Sequence, residues 1–462
     1  MILVSLYQWF IQGGEMAVPV HHRGRNAYHF TLIQNLESII DHGIFSTNQK
    51  IARGILHVNV AEKGIQRRRA LMQVPGANGR CVHDYVPFYF AKKTPMQQAV
   101  LYKKNVDQQF IIYLSVSVLL METRAGAYYT SASANTDVPP SFFSGNHQSD
   151  QLDQLDWQTI DNGRWGYDDD AQKHRKMAEL LLPDHVPLSE INQIVTFNRS
   201  VSDCVRQIFQ NKGVVAPNIV EAGGEHYYLE PGNWNASLVT GPFFLKRFVD
   251  EAVSHVVSFQ RQVMPKFQTL SDALRAIRAN FAAIRELEDI DGLGANYGPH
   301  REDVGAHSRR VAGLVLNSPE YIHLDPVHRE VLELAAYLHD IGKGPKTRWP
   351  NSFMNKADGE HPKKSLPMLK RILTEDLPIL PPDIVRKIIM LVTYDDLLGE
   401  IVAKGRDKTQ LFDIITCPED ITMLVALSKA DIGALSQIWL MQVSAGIDAL
   451  RVEALQKLQG NI

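Results

Sequence analysis

The sequence predicts two folded units of different class, an α+β unit followed by an all-α unit. Three observations predict this. The chain has 462 residues, more than one ordinary core sustains. Runs of β-branched and aromatic residues with strand propensity, such as YVPFYFA and QQFIIYLSVSVLLM, fall in the first half. Beyond Gly232 apolar residues recur at helical spacing, as in FLKRFVDEAVSHVVSFQRQV and LSDALRAIRANFAAIRELEDI. The expected divisions are an extension at 1–26, an α+β unit at 27–232, a linker at 233–245 carrying NWNASLVTGP, and a helical unit at 246–462.

Composition bounds the chemistry. Hydrophobic content of 45% and charged content of 21% are those of a soluble globular protein, and the net charge is −3. That average hides an asymmetry. Between Lys50 and Lys104 stand eleven Lys/Arg against two acids, whereas 150–170 holds seven aspartates against Arg164 alone. The basic segment is a candidate phosphate-facing surface. Cys81, Cys204 and Cys417 are distant, odd in number and without a CxxC pair, which fits a reducing compartment and excludes a cysteine zinc ribbon. No apolar run has the length of a membrane span. The opening MILVSLYQWFIQGGEM lacks a basic leader and a clear cleavage site, so no signal peptide is expected, and Met16 is an alternative start. A cytoplasmic location follows as the expectation.

In chain order, YHFT reads as a strand that places His29 and Thr31 on one face, with Phe30 on the other. The helix after it has Leu36, Ile39 and Ile40 on its apolar face, Asn35 as its cap and Gly43 as its stop. Arg67, Arg68 and Arg69 are either a solvated basic face or an anion clamp beside the aromatic strand of Tyr85, Phe88 and Tyr89. Pro87 places that strand at an edge or a bulge. Residues 126–172 read as a long, turn-rich acidic loop with Trp157 and Trp165. It ends at a strand whose first residue, Glu179, lies between Ala178 and Leu180–Leu182. A carboxylate buried there is either ion-paired or catalytic.

HxT at His29–Thr31, NLxSIxxxG, IQxRRA, HDYVPFYFAxxxPM and the Ala-Glu-Leu run follow one another over about 200 residues, from Ala27 to Ile219. This series resembles DarT, the single-stranded-DNA ADP-ribosyltransferases of toxin–antitoxin systems. The resemblance implies an α+β ADP-ribosyltransferase fold that uses NAD as substrate and modifies a DNA base, with an antitoxin or other regulatory partner. It implies catalytic roles for Arg69 and Glu179, and a nicotinamide-holding role for His29 and Thr31 with Asn35 behind them. It also makes the acidic loop the substrate-recognising segment. Tyr85, Phe88 and Tyr89 are candidates to stack on nicotinamide or on a splayed base. Because Arg67 precedes the expected arginine pair, Arg68 and Arg69 are interchangeable at this point. RNA, a free nucleotide or water are the alternative acceptors.

The second half carries His307, then His339-Asp340 in LHDIGK, His361 in GEHP and Asp431, each on or beside an amphipathic helix. Imidazole and carboxylate together suit a divalent metal. The ordered set resembles the HD phosphohydrolase superfamily. That resemblance implies His307, His339, Asp340 and Asp431 as ligands to Mn, Mg, Fe or a similar ion, and Lys343 on a substrate phosphate. His361 is implied at a second metal or phosphate position. Some relatives have a further histidine where this chain has Tyr394, which argues against a dinuclear centre. A nucleotide-sensing regulatory module is the alternative role for this half.

Overall fold

The computed structural model describes residues 17–58, 63–135, 138–163, 167, 169–259 and 264–460; the possible start at Met16 and Trp165 lie outside the described residues. By internal contacts the chain divides into Met1–Tyr102 with Val106–Leu238, and Lys103–Asn105 with Val239–Ile462.

The first unit is α+β. Its main sheet has eight strands: β1 (Asn26–Leu32), β2 (Tyr85–Tyr89), β3 (Ile111–Ser117), β4 (Tyr128–Thr130), β5 (Phe142–Ser144), β6 (Glu179–Pro183), β7 (Gln193–Thr196) and β8 (Asn218–Glu221). They run in the order β8-β7-β3-β1-β2-β6-β4-β5, antiparallel except for β7 and β8. The apolar run of β3 is buried from Ile111 to Val116, as its uninterrupted hydrophobicity requires. Over one face pack α1 (Leu36–His42) and α3 (Arg199–Asn211). Leu36, Ile39, Ile40, Val201, Val205 and Phe209 join Ile112, Leu114 and Val116 in one core. Gly43 ends α1 at φ +72°, a conformation that favours glycine.

The acidic segment is more structured than its composition suggests. β4 and β5 lie within it, Tyr129 stacks on Phe143 with ring centroids 4.7 Å apart, and Trp157 packs edge-on against Phe90. Its aromatic residues supply core that the turn signals conceal. Residues 233–245, expected as linker, hold the strand Asn233–Ser237, paired with Leu229–Glu230, and the first turn of a helix.

The second unit is helical: α4 (Pro242–Ser258), α5 (Leu270–Ala279), α6 (Val304–Leu316), α7 (Pro326–Leu338), α8 (His361–Arg371), α9 (Pro382–Thr393), α10 (Pro418–Leu435) and α11 (Gln437–Leu458) enclose a single apolar core. A two-residue parallel pairing, Gly294–Ala295 with Phe353–Met354, and an isolated antiparallel bridge, Tyr297 with His300, are its β pairings among the described residues. No described helix is long and apolar enough to cross a membrane. Cys81, Cys204 and Cys417 are free thiols.

Candidate functional sites

The first site is a split in the main sheet. β1 and β2 pair only at Tyr28–Tyr89, while β1 keeps full register with β3 from Asn26–Ser117 to Leu32–Ile111. Towards Leu32 and Tyr85 the two strands therefore part, and the His29 Nδ1–H donates across the gap to Pro87 O at 2.9 Å. The amide nitrogen and carbonyl of an antiparallel residue point the same way. Pro87, with no N–H, thus faces the unpaired side and leaves no donor unsatisfied. The edge character expected of Pro87 is local to this split.

The gap opens into a cleft lined by His29, Thr31, Lys50, His57, Arg69, His83, Tyr85 and Tyr89. Strand alternation decides which aromatic residues face it. Tyr85 and Tyr89 do, whereas Phe88 has no exposed surface and belongs to the core. The expectation that Phe88 contacts a ligand is corrected on that ground. Asn35 differs too: it makes no capping bond to α1. Its Nδ2 donates to Thr31 Oγ1 and to Val58 O, both at 3.0 Å, and its Oδ1 accepts from Val58 N at 2.8 Å. It braces Thr31 against the next segment, and borders a smaller recess with His29 and Thr31.

Arg69 at the floor is one half of an ion pair, and its partner Glu179 lies behind it. Arg69, on α2 (Lys63–Leu71), donates from Nη1 to Glu179 Oε1 at 2.8 Å and from Nη2 to Oε2 at 2.9 Å. Glu179 has no exposed surface and Arg69 only 6%. Arg68 is exposed and donates to Asn135 O at 2.7 Å, so of the two arginines it is Arg69 that points inward. Glu179 Oε1 also accepts from Ala134 N at 3.2 Å, and its own amide donates to Thr130 Oγ1 at 3.1 Å. The turn after β4 is thereby tied both to Glu179 and to Arg68.

The electrostatics follow from burial. Burial opposes the charge on Arg69, but Glu179 outweighs it and raises the guanidinium pKa. Desolvation lowers His29 to about 4, so its ring is neutral at pH 7 and presents Nε2 as an acceptor. Burial pushes the Tyr85 hydroxyl up to about 12, and raises that of Tyr89 further with the help of Glu179. Lys50, His57 and His83 are all lowered, chiefly by burial. Lys50 and His57 line the cleft without belonging to a motif read from the sequence, and only the basic segment pointed to them. His83 opens the HDYVPFYF motif but was not singled out as a site residue.

The second site gathers side chains from five elements of the helical unit. His307 comes from α6, whose N-terminus Asp303 caps through Ala306 N. His339 and Asp340 follow α7, His361 opens α8, Asp395 follows α9 and Asp431 lies on α10. His307 Nε2 is 2.8 Å from Asp431 Oδ1, and His339 Nε2 is 3.5 Å from Asp340 Oδ2 and 3.7 Å from Asp431 Oδ1. On the other side of Asp340, His361 Nε2 is 3.8 Å from its Oδ1 and 3.3 Å from Asp395 Oδ2. The HDIGK glycine permits this closeness, because a Cβ on Gly342 would stand 2.0 Å from His361 O.

These residues fit a divalent cation. His339 and His361 each anchor Nδ1 on a backbone carbonyl, Ala336 O at 2.9 Å and Asp358 O at 2.8 Å. That fixes Nε2 towards the centre, as metal-binding imidazoles require. His339 Nε2 and Asp395 Oδ1 are buried and have no hydrogen-bond partner. Burial opposes the charge on Asp340, yet Lys343 and three histidines hold it well below the usual carboxylate range. Lys343 donates to Asp340 Oδ2 at 2.7 Å. Tyr394, where a further histidine was sought, is buried at 3%, and the next residue, Asp395, lies beside His361. No motif marked Asp395.

Comparison with known proteins matches one family model in each half of the chain. Residues 28–229 match the family model "ssDNA thymidine ADP-ribosyltransferase, DarT", and 304–407 match the HD domain. The chain is 31% identical over 186 residues to a DNA ADP-ribosyl transferase of Thermus aquaticus, which covers 39% of this chain and 79% of that one. It is 30% identical over 188 residues to the corresponding protein of Thermus sp., covering 40% and 86%. The solved structure of Thermus sp. 2.9 DarT in complex with ADP-ribosylated ssDNA is similar at 27% identity and a TM-score of 0.40, over 46% of this chain and 99% of that one. Through its N-terminal half the chain belongs to the DarT family of DNA ADP-ribosyltransferases, and its C-terminal half carries an HD domain.

Proposed function

We propose that the first unit transfers ADP-ribose from NAD to a base of single-stranded DNA. The buried, bidentate Arg69–Glu179 pair, whose arginine lines a donor-rich cleft, carries this reading. The nicotinamide–ribose bond breaks with its electron pair leaving on nicotinamide. The positive charge that develops at the anomeric carbon is stabilised by Glu179, and Arg69 holds that carboxylate in place. His29 and Thr31 hold the nicotinamide end, Asn35 braces Thr31, and Tyr85 and Tyr89 form the aromatic wall. A base nitrogen then attacks the anomeric carbon and loses its proton to water. The Ala134–Asn135 turn, tied to both arginine-linked groups, brings the acidic loop to the acceptor side.

The second unit is read as a metal-dependent phosphohydrolase. His307, His339, Asp340 and Asp431 would hold a divalent ion such as Mn, Mg or Fe, and His361 with Asp395 would offer a second position. Such an ion would supply an activated water and polarise a phosphoryl oxygen. Lys343 contacts the substrate phosphate. In one chain, the two activities make a toxin- or defence-type transferase whose own phosphohydrolase restrains it, with an antitoxin or other regulatory protein as a further partner.

The test is incubation of the full chain with labelled NAD and single-stranded oligonucleotides. Label should appear on the DNA, and nicotinamide release should rise with added oligonucleotide. Nicotinamide release that ignores DNA would reassign the acceptor to water.

A further inference from the structure

Beside the metal-ligand cluster of the second unit lie two groups that the metal reading does not use, Tyr297 and His300. They sit on one tight turn, in which Gly298 has φ +52° and His300 N donates to Tyr297 O at 2.9 Å. His300 is only 2% exposed. Its ring lies 5.3 Å from that of Tyr297 on one side and 4.9 Å from that of His307 on the other. A nitrogen of His300 can approach His307 and Asp340 with all three ligand atoms within 4.8 Å of one another. Both His300 nitrogens are buried without a hydrogen-bond partner, and the buried Tyr297 hydroxyl faces the Lys343 ammonium.

Burying both His300 nitrogens unpaired is costly. A structural role alone would select against that arrangement. The same atoms become useful if a ligand supplies acceptors. The Lys343 ammonium, 9% exposed and bonded to Asp340, lies within hydrogen-bonding reach of the Tyr297 hydroxyl. An N–H, an O–H and an ammonium that the fold brings together suit an anion with several oxygens.

We infer that Tyr297 and His300 complete, with Lys343, a subsite for the phosphate of a phosphoester substrate, on the loop that precedes α6. The inference rests on the phosphohydrolase reading. It makes Tyr297 and His300 substrate-orienting residues, distinct from the metal ligands.

The experiment uses the full chain loaded with Mn and inorganic phosphate as the probe. Mn content is measured by mass spectrometry, phosphate binding by calorimetry, and KM and kcat with a chromogenic phosphodiester. In His300→Ala and in the milder Tyr297→Phe, Mn content should equal the parent's. Phosphate affinity should fall about tenfold, as for a lost hydrogen bond to a charged group, with KM rising more than kcat falls. Unchanged phosphate affinity in both variants, or a parent that binds Mn but no phosphate, overturns the subsite. So does Mn loss in His300→Ala matching that of an Asp340→Ala control, which would make His300 a ligand. A parent that binds no Mn removes the metal reading itself, and the subsite with it.

Discussion

Glu179 and Arg69 are both buried and neutralise one another, so neither can be removed without stranding a buried charge. Breaking such a pair from one side costs roughly 3–5 kcal/mol, whereas replacing both members by apolar groups is often neutral. Glu179→Ala alone should therefore lose both transfer activity and stability, and its inactivity would be ambiguous. The double variant Arg69→Met/Glu179→Leu should recover most of the thermal midpoint yet transfer no label from NAD. Recovery of activity with stability would show the pair to be structural. Neighbouring strand positions give a second contrast. Phe88→Ala removes core and should cost roughly 3–5 kcal/mol in denaturant unfolding. Tyr89→Ala, one residue away but facing the cleft, should lose NAD affinity for a smaller loss of stability. Acid acts on this unit through His29, lowered to about 4, and His226, lowered to about 3 mainly by burial. Unfolded histidines take up protons near pH 6.5, but these two stay neutral until well below that. Protons therefore favour the unfolded state between those values, and stability falls as pH drops from 7 to 5. His226→Phe should flatten that dependence in denaturant titrations at the two pH values.

At the scale of elements, much of this was legible, and the rest failed for physical reasons. The strands holding His29, Tyr89 and Glu179 are marked by β-branched and aromatic runs whose period sets their faces, so the cleft walls could be read. The split between β1 and β2 could not be, because only Pro87 hints that one strand edge goes unpaired. Asn35 looked like a cap since it stands just before a helix, but Thr31 and Val58 offer its amide better partners. In the helical half, periodicity located the helices but not which loop residues lie inside their ends. His300 and Asp395 were missed for that reason. The packing of α9 on α10 shows the same limit. Asp420, on α10 and fully buried, accepts from Arg386 of α9 at 2.8 and 2.9 Å, and from Thr416 N at 2.8 Å. Asp420→Ala leaves the Arg386 guanidinium half-buried without its main partner. It should lower the stability of the helical unit by roughly 3 kcal/mol, measured by denaturant unfolding, without altering ADP-ribose transfer.

Each unit of the molecule has its own continuous core, one built on the sheet and one among the helices. Two separate cores predict two calorimetric transitions, and each ligand should move only one of them. A ligand bound by the folded state alone stabilises by about 2.7 kcal/mol at a hundredfold excess over Kd. A chelator should thus lower the transition that Asp420→Ala also lowers, and leave the one that Phe88→Ala lowers where it stands. The clustered carboxylates Asp340, Asp395 and Asp431 give the direction, since removing a cation leaves them to repel one another at close range. Independent melting would still allow the two chemistries to meet through a shared product. If the HD unit restrains the transferase, cells expressing His339→Ala should accumulate more ADP-ribosylated DNA than cells with the parent chain, read by mass spectrometry of recovered nucleosides. Equal adduct levels with the metal lost would mean that the second unit acts on something other than the transferase's product, and that its restraint, if any, runs through a different molecule.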